Sequence, residues 1–408
     1  MKRLLFFVPV LLLLINLRAA PPPSLAADGT AALSTFFSEA VARGDVPGIV
    51  AIVVGRDQVL YHEAFGTMNV AKSVAMSKDA IFRIASMTKA VTSVGVMMLV
   101  EEGKLGLDDE VSNYIPSLES PQVFSKVDEK AGTYETRPAK RSITIRQLLT
   151  HTSGIGYSWS DPSLALAQKK TGATNDSELP LVHEPGEKWT YGASTRVLGD
   201  VIAKISGQRI DVYLDARVLG PLGMRDTTFT VPQAKYSRVV TTHQKANGTI
   251  NETQNPATIP ATIRGDGGLF STAADYSRFV RMLLNRGQLG GTRILSERTI
   301  AEMTRPQTGT VKVRPQPTAD PLRSRPYPLG AGEDVWGLGF QLAAPNSPSP
   351  SMRSPGSMSW AGIFNTFFWV DPRKEIGAIV LMQMLPFYDD GALRVLQGFE
   401  ERVYKNLK

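Results

Sequence analysis

The chain contains no cysteine. This absence excludes a disulfide framework, a thiol nucleophile, a cysteine-ligated metal and a lipid anchor on a cleavage-site cysteine. Histidine is almost as scarce, with four residues in the whole sequence. His151 falls at a predicted helix-to-loop corner and is interpreted as structural. The other three show no spacing typical of metal ligands, so no metal site is expected. They are His62, His183 and His243.

The sequence also lacks a basic run interleaved with aromatic residues. Lysine and arginine outnumber aspartate and glutamate by 45 to 38. Without Lys2, Arg3 and Arg18 at the N-terminus the balance is 42 to 38, which is only mildly basic. A nucleic-acid partner is therefore not expected. No Gly-x-Ser-x-Gly pentapeptide occurs, so the serine triad that uses this turn is not supported.

The first residues predict a secretory signal over residues 1–26. Two basic residues precede an apolar run from Leu4 to Leu17, and Ser24-Leu25-Ala26 has the small residues of a cleavage site. The run is short for a membrane span and contains a proline. The expected product is exported, periplasmic or secreted, starts near Ala27 and keeps no stable membrane span. An uncleaved N-terminal anchor is the alternative.

Residues 27–408 are predicted to form one domain of α+β class. Its N-terminal part predicts a hairpin of Ile49–Val54 and Gln58–Phe65. The C-terminal part predicts strands at Trp336–Leu342, Ser359–Val370 and Ile376–Met384, then a helix at Asp390–Lys405. The middle, about 105–305, is mostly helix and loop, with the clearest helical patterns at Thr144–Leu149, Ser194–Ile205 and Asp275–Arg286. This order predicts an antiparallel sheet built from both chain ends, flanked by helices, with an inserted, mostly helical lobe.

Ser86 and Lys89 are the strongest candidates for chemistry. They open an apolar helical run at i, i+3 spacing, which places them on one face, one turn apart. The run holds no charge from Lys89 to Glu101, so the helix is predicted to be buried. Burial lowers the pKa of a lysine, and a neutral amine can take the proton of a serine nucleophile. For so short a motif, a chance pair on a solvated helix is the alternative.

Tyr191 is the third candidate. It lies in a loop that starts at Pro185-Gly186 and precedes a predicted helix. A phenol beside a lysine ammonium can share its proton, so Tyr191 can relay a proton from Ser86 to a leaving group. Taken alone, Tyr191 would be interpreted as an ordinary half-buried tyrosine. Its place between Ser-x-x-Lys and a late glycine-containing strand favours the catalytic interpretation.

These motifs resemble those of the serine β-lactamase-like superfamily, most closely the family VIII carboxylesterases, which are relatives of class C β-lactamases. The matching segments extend over nearly all of the mature chain. They are Phe82–Lys89, Gly103–Leu105, Leu107–Asp109, Leu148–Gly154, Pro185–Tyr191, Gly267–Thr272 and Trp360–Gly362. The resemblance implies a β-lactamase/transpeptidase-like fold and a serine hydrolase without metal or organic cofactor.

Two departures separate the chain from class C β-lactamases. Those enzymes carry Tyr-x-Asn, where this chain has Ala193, and Lys-Thr-Gly on the late strand, where this chain has Trp360-Ala361-Gly362. An indole cannot neutralise a carboxylate but can line a slot for an uncharged group, so neutral short-chain esters are the expected substrates. A plain core role for Trp360 is the alternative. Lys170-Thr171-Gly172 precedes Tyr191 in a polar stretch and is predicted to be a surface turn.

The resemblance also implies roles for individual residues. Ser86 is the expected nucleophile, and Lys89 and Tyr191 accept its proton, which Tyr191 returns to the alkoxide leaving group. The backbone amides of Ser86 and Ile363 are expected to form the oxyanion hole. The expected substrate-binding residues are Trp360, Gly362 and Tyr157.

Other functions remain open on the same motifs. A class C-like β-lactamase or D-alanyl-D-alanine peptidase is the first alternative, and weak lactam cleavage, amide hydrolysis and acyl transfer to alcohols also fit the scaffold. A non-catalytic binding relative is disfavoured, because such a module has no need for Ser86, Lys89 and Tyr191 together. The expected partner is a small-molecule ester, and the oligomeric state is left open.

Overall fold

The computed structural model describes residues 21–258, 261–347 and 352–408. Of the predicted secretory signal, residues 1–26, the first 20 lie outside the described residues. The α-helices in the described part are α1 (Ala27–Ala42), α2 (Thr88–Glu101), α3 (Ile145–Leu149), α4 (Pro162–Thr171), α5 (Ser194–Ser206), α6 (Ile210–Leu214), α7 (Ala273–Leu284), α8 (Glu297–Met303) and α9 (Asp390–Lys405).

The strands come from both ends of the chain and from short pairs between them. They are β1 (Gly48–Val54), β2 (Val59–Asn69), β3 (Val74–Ala75), β4 (Phe82–Arg83), β5 (Gln122–Asp128), β6 (Thr133–Pro138), β7 (His243–Ala246), β8 (Thr249–Glu252), β9 (Phe270–Ser271), β10 (Gln288–Leu289), β11 (Thr292–Arg293), β12 (Val335–Trp336), β13 (Gln341–Leu342), β14 (Met358–Gly362), β15 (Thr366–Asp371), β16 (Ile376–Leu381) and β17 (Met384–Leu385).

One eight-stranded sheet in the described residues unites the two ends of the chain. Its order is β12-β13-β14-β15-β16-β1-β2-β3, and every neighbouring pair is antiparallel. The pairing of β1 with β16 joins the N-terminal hairpin to the C-terminal strands, with Val50 opposite Leu381. The predicted α+β fold, with its sheet built from both chain ends, is confirmed.

Helices cover both faces of this sheet. On β15, Phe368 packs against Tyr276 of α7 and the next residue, Trp369, packs against Phe399 of α9, each pair with ring centroids 5.2 Å apart. Because successive strand residues point to opposite faces, α7 and α9 lie on opposite sides. Burial on both faces explains why all of β15 is buried and why its sequence is apolar rather than alternating.

The inserted lobe lies between α2 and α7 along the chain. It contains α3 to α6, and α5 and α6 pack against α2. As predicted, α2 is a buried helix, since every residue from Thr88 to Leu99 is buried. The lobe also holds the hairpin of β5 and β6, which the sequence analysis did not predict; its limits near 105 and 305 stay a prediction. In the described ranges, no helix is both long and apolar enough to cross a bilayer.

Two segments predicted as single strands are hairpins in the structure. Trp336–Leu342 turns between β12 and β13, and Ser359–Val370 turns between β14 and β15. Gly339 in the first turn has φ of 99° and Asn365 in the second has φ of 60°. These are the left-handed values that glycine and asparagine tolerate and that end a strand. The second turn places Ile363 beside the candidate site.

Candidate active site

Ser86 lies in a short 3-10 turn, Ala85–Met87, directly before α2. The helix therefore begins at Thr88, two residues later than the motif suggested. Ala85 has φ of 45°, a region that residues with a Cβ rarely adopt and that is common at functional sites. The predicted juxtaposition of the two side chains is nevertheless present, because Lys89 Nζ lies 3.2 Å from Ser86 Oγ.

Lys89 is enclosed by polar oxygens and aromatic rings. Its side chain is 2% exposed, and Nζ donates hydrogen bonds to the hydroxyl of Tyr157 at 2.9 Å and to the carbonyl oxygen of Asp266 at 2.7 Å. Nζ also lies 5.2 and 4.8 Å from the ring centroids of Tyr157 and Tyr191. Burial lowers the pKa of Lys89 to about 7, with Asp266 opposing this shift and Arg264 adding to it.

The surroundings of Lys89 also orient its amine. Tyr157 donates its hydroxyl proton to Asp266 Oδ2 at 2.6 Å, so the Tyr157 oxygen acts as an acceptor toward Lys89. A neutral amine has two N–H groups and one lone pair. With its two N–H groups directed at Tyr157 and at the Asp266 carbonyl, the lone pair is left for the hydroxyl proton of Ser86. This is the protonation state that a general base requires.

Tyr191 is held by contacts at both its backbone and its hydroxyl. Its N–H donates to Gln316 Oε1 at 3.1 Å, and its hydroxyl oxygen accepts a hydrogen bond from Trp360 Nε1 at 3.1 Å. Burial raises the pKa of Tyr191 above its ordinary value, while hydrogen bonding with Ser86 and Trp360 acts in the opposite direction. Tyr191 is therefore a phenol near neutral pH, and Lys89 is the group with a pKa suited to accept a proton first.

The late strand β14 approaches the turn of Ser86 closely. A Cβ on Gly362 would lie 2.3 Å from the carbonyl oxygen of Ile84, so only glycine allows this approach. Trp360, two residues earlier, is buried with its ring 4.7 Å from that of Tyr191. Ile363 follows β14 and lines the same pocket as Ser86. The predicted site residues thus come together around one pocket, and their catalytic roles stay predictions.

The pocket beside Ser86 has a volume of about 150 Å³. Its side-chain walls combine aromatic rings with charged groups, among them Tyr157, Trp159, Tyr191, Trp360, Arg83, Arg264, Asp266 and Arg323. The sequence analysis missed Asp266 and Gln316, although both contact proposed catalytic residues. Asp266 had a signal in the sequence, since a carboxylate stands between Gly265 and Gly267, next to a segment that matched the superfamily.

Two other features from the sequence analysis, His151 and Lys170-Thr171-Gly172, do not line the pocket. His151 is buried, its ring 4.9 Å from that of Tyr191, and its Nδ1 has no partner among the residues described. Burial lowers the pKa of His151 well below its ordinary value, which favours the neutral, structural interpretation. Lys170 is exposed in the last turn of α4, and Gly172 caps that helix with φ of 70°, so this Lys-Thr-Gly is the exposed end of a helix rather than the predicted turn.

The fold and the pocket together define a serine β-lactamase-like protein, with an antiparallel sheet, a helical lobe and a Ser-x-x-Lys pair between them. The family model described as Beta-lactamase matches residues 33–398. The chain belongs to this family, and the resemblance inferred from the motifs is confirmed.

Curated relatives cover nearly the whole chain. Protein Rv1367c of Mycobacterium tuberculosis is 34% identical over 372 residues, which is 87% of this chain and 90% of that protein. Monacolin J acid methylbutanoyltransferase of Aspergillus terreus is 27% identical over 411 residues, covering 93% of this chain and 96% of the relative. The family around this chain therefore includes acyltransferases.

Solved structures share the fold at lower identity. The LovD6 mutant of simvastatin synthase from Aspergillus terreus superposes with a TM-score of 0.79 at 24% identity, covering 93% of this chain and 98% of that one. EstCE1, described as a hydrolase with promiscuous acyltransferase activity, gives a TM-score of 0.76 at 21% identity, with 92% and 99% covered. These likenesses show that the chain shares the fold of those proteins.

Proposed function

We propose that this protein is a serine hydrolase that cleaves short-chain carboxylic esters through an acyl-enzyme on Ser86. The observation that carries the proposal is the 3.2 Å contact between Ser86 Oγ and Lys89 Nζ, where the amine has a pKa of about 7. A serine hydroxyl becomes a nucleophile when a neighbouring base can remove its proton. The buried amine meets that requirement near neutral pH.

Acylation uses two proton transfers. Lys89 takes the hydroxyl proton of Ser86 as Oγ bonds to the ester carbonyl carbon, whose oxygen becomes an oxyanion facing the amides of Ser86 and Ile363. When the tetrahedral intermediate collapses, the bond to the alcohol oxygen breaks and Tyr191 donates its phenolic proton to the leaving alkoxide. The resulting phenolate is stabilised by the N–H of Trp360 and by the newly formed ammonium of Lys89.

Deacylation reverses these transfers with water as the nucleophile. The Tyr191 phenolate removes a proton from water, and the hydroxide attacks the acyl carbon. The Lys89 ammonium then returns its proton to Ser86 Oγ as the carboxylic acid leaves. Each cycle restores both groups to their starting protonation states, so the two residues act as one unit.

Acyl transfer is a second candidate, favoured by the methylbutanoyltransferase relative that covers 93% of this chain. In this case the hydroxyl of an acceptor alcohol replaces water, and Tyr191 removes the alcohol proton in the same way. The two functions differ only in whether water or an alcohol reaches the acyl-enzyme. A β-lactamase or peptidase is a weaker candidate, because Ala193 and Trp360 replace the amide and lysine that lactam-processing relatives use.

A panel of p-nitrophenyl esters of graded acyl length, run beside nitrocefin, tests the proposal. We expect the acetyl and butyryl esters to be cleaved fastest and nitrocefin to be cleaved slowly. A product analysis with added alcohol separates hydrolysis from transfer, because transfer yields a new ester. Nitrocefin turnover that rivals ester turnover would contradict the esterase assignment, and failure to cleave any ester would contradict the proposed function.

Trp360→Phe is expected to lower kcat by about tenfold to a hundredfold, because it removes the N–H that stabilises the Tyr191 phenolate and such charge-assisted hydrogen bonds contribute about 1.5–3 kcal/mol. Steady-state kinetics on p-nitrophenyl butyrate and a melting temperature measure the effect. Trp336→Phe is the matched control, since Trp336 is also buried and its Nε1 donates to the Leu149 carbonyl at 3.1 Å. Equal losses of kcat in both variants would show that Trp360 is only a core residue.

A further inference from the structure

Three arginines from separate parts of the chain line the pocket. Arg83 ends the short strand β4, Arg264 precedes Asp266, and Arg323 lies in the long segment before β12. Arg83 precedes Ser86 by three residues, so their Cα atoms are at most about 11 Å apart. The pocket of a proposed ester hydrolase therefore carries a concentration of positive charge close to the nucleophile.

The protein itself supplies little negative charge to balance this group. Arg264 pairs with Asp266, with Nε 2.9 Å from Oδ1, and the same carboxylate also accepts the hydrogen bond of Tyr157. Arg83 lies over the ring of Phe364 at 5.7 Å, and Arg323 lies over that of Trp159 at 5.6 Å. Across the described part of the chain, neither of these two guanidinium groups has a carboxylate partner.

The two neighbouring arginines act on the pKa of Arg83. Burial lowers that pKa first, and the charges of Arg264 and Arg323 lower it further. Like charges disfavour one another in a partly desolvated pocket, and an anion placed among them would relieve the repulsion. Guanidinium groups are also suited to carboxylates and phosphates, because their N–H groups form paired hydrogen bonds with these anions.

We propose that Arg83, Arg264 and Arg323 bind an anionic group of the substrate, a carboxylate or a phosphate at the end remote from the scissile ester. The inference rests on the proposed function, because it names the substrate class of the same site. It differs from the expectation in the sequence analysis that neutral short-chain esters are the substrates, which considered the late strand alone. Trp360 stands where class C β-lactamases have the lysine of the late strand. The three arginines supply positive charge from other elements instead.

The test compares esters that differ only in a terminal charge. Monoethyl adipate is paired with ethyl hexanoate, and ethyl 4-phosphonobutanoate with ethyl pentanoate, so that a methyl group replaces each anion. Ethanol release gives kcat/KM, and we expect at least about tenfold preference for one anionic ester at low salt, shrinking at about 0.5 M NaCl because of screening. The preferred anion distinguishes a carboxylate from a phosphate-like group.

Arginine variants locate the effect. Arg83→Gln and Arg323→Gln are each expected to reduce the ratio of anionic to neutral kcat/KM by about tenfold, mainly through KM. Arg325→Gln is the matched control, because Arg325 lies in the same loop and is exposed like Arg323 but does not line the pocket. Its ratio should stay at the wild-type value, whereas an equal drop in all three variants would indicate a general field effect and overturn the site.

The outcomes separate this inference from the proposed function. If ethyl hexanoate is cleaved faster than monoethyl adipate and ethyl pentanoate faster than its phosphonate partner, the esterase stands and the anion site is wrong. If no ester is cleaved, the proposed function fails, and calorimetry with monoethyl adipate and ethyl 4-phosphonobutanoate still tests the site. Binding to the wild type that Arg323→Gln weakens supports the anion site, and no binding to the wild type overturns it.

Discussion

Ser86→Ala is expected to lower kcat for ester hydrolysis by about four orders of magnitude or more, because the acyl-enzyme cannot form without the serine oxygen. Binding and oxyanion stabilisation remain in the variant, so a small residual rate above the uncatalysed reaction is expected. Kinetics on p-nitrophenyl butyrate measure the loss. A fluorophosphonate probe should label the wild type on the peptide that contains Ser86 and should leave the variant unlabelled.

Ser93→Ala is the matched control for this prediction. Ser93 is a buried serine on α2 whose hydroxyl has no partner among the residues described, and it does not line the pocket. Its loss should leave kcat close to the wild-type value. The assignment would be wrong if Ser86→Ala kept its activity while Ser194→Ala abolished it. That outcome would be surprising, since the Ser194 hydroxyl is hydrogen-bonded to that of Ser153 at 2.9 Å, inside the protein.

The sequence predicted the parts of the site that depend on local geometry. Ser86 and Lys89 are three residues apart, and a helical turn brings such side chains together whatever the rest of the fold does. The apolar run after Lys89 predicted its burial, and burial is the first cause of its lowered pKa. The two side chains are paired even though α2 begins only at Thr88 and Ser86 lies in the 3-10 turn before it.

The parts that depend on contacts between distant segments could not be predicted in the same way. Trp360 Nε1 meets the hydroxyl of Tyr191 across 169 positions, and Lys89 meets the carbonyl of Asp266 across 177. No periodicity in the sequence predicts such a contact, and a residue of any type can supply a backbone carbonyl. The clustering of the pocket arginines was missed for the same reason, because Arg83, Arg264 and Arg323 come from three separate segments of the chain.

The errors in the fold have a different cause. Trp336–Leu342 and Ser359–Val370 are apolar enough to suggest unbroken strands, because both faces of the sheet are covered and the usual alternation is lost. The breaks were nevertheless marked by Gly337 and Gly339 in one segment and by Asn365 in the other. If these turn residues are given more weight than hydrophobicity, the sequence predicts two hairpins.

Lys89→Met and Tyr191→Phe are each expected to lower kcat by about three orders of magnitude, with the double variant little slower than either single one. Lys89 gains the proton of Ser86 while Tyr191 gives one to the leaving group, so each transfer depends on the other. Tyr276→Phe is the matched control for the tyrosine. It is also a buried tyrosine, and it loses a hydroxyl that donates to the Met87 carbonyl at 3.1 Å, outside the pocket.

The pH dependence separates the two roles. The base form of Lys89 exists above its pKa of about 7, so kcat/KM of the wild type should rise with pH through about 7 and then level off. Tyr191, whose pKa is raised by burial, keeps its proton over this range. Tyr191→Phe should therefore retain the rise near pH 7 at a lower plateau, whereas Lys89→Met should lose it. An unchanged pH profile in Lys89→Met would show that Lys89 is not the base that activates Ser86. Multiplicative losses in the double variant would show that Lys89 and Tyr191 do not act as one unit.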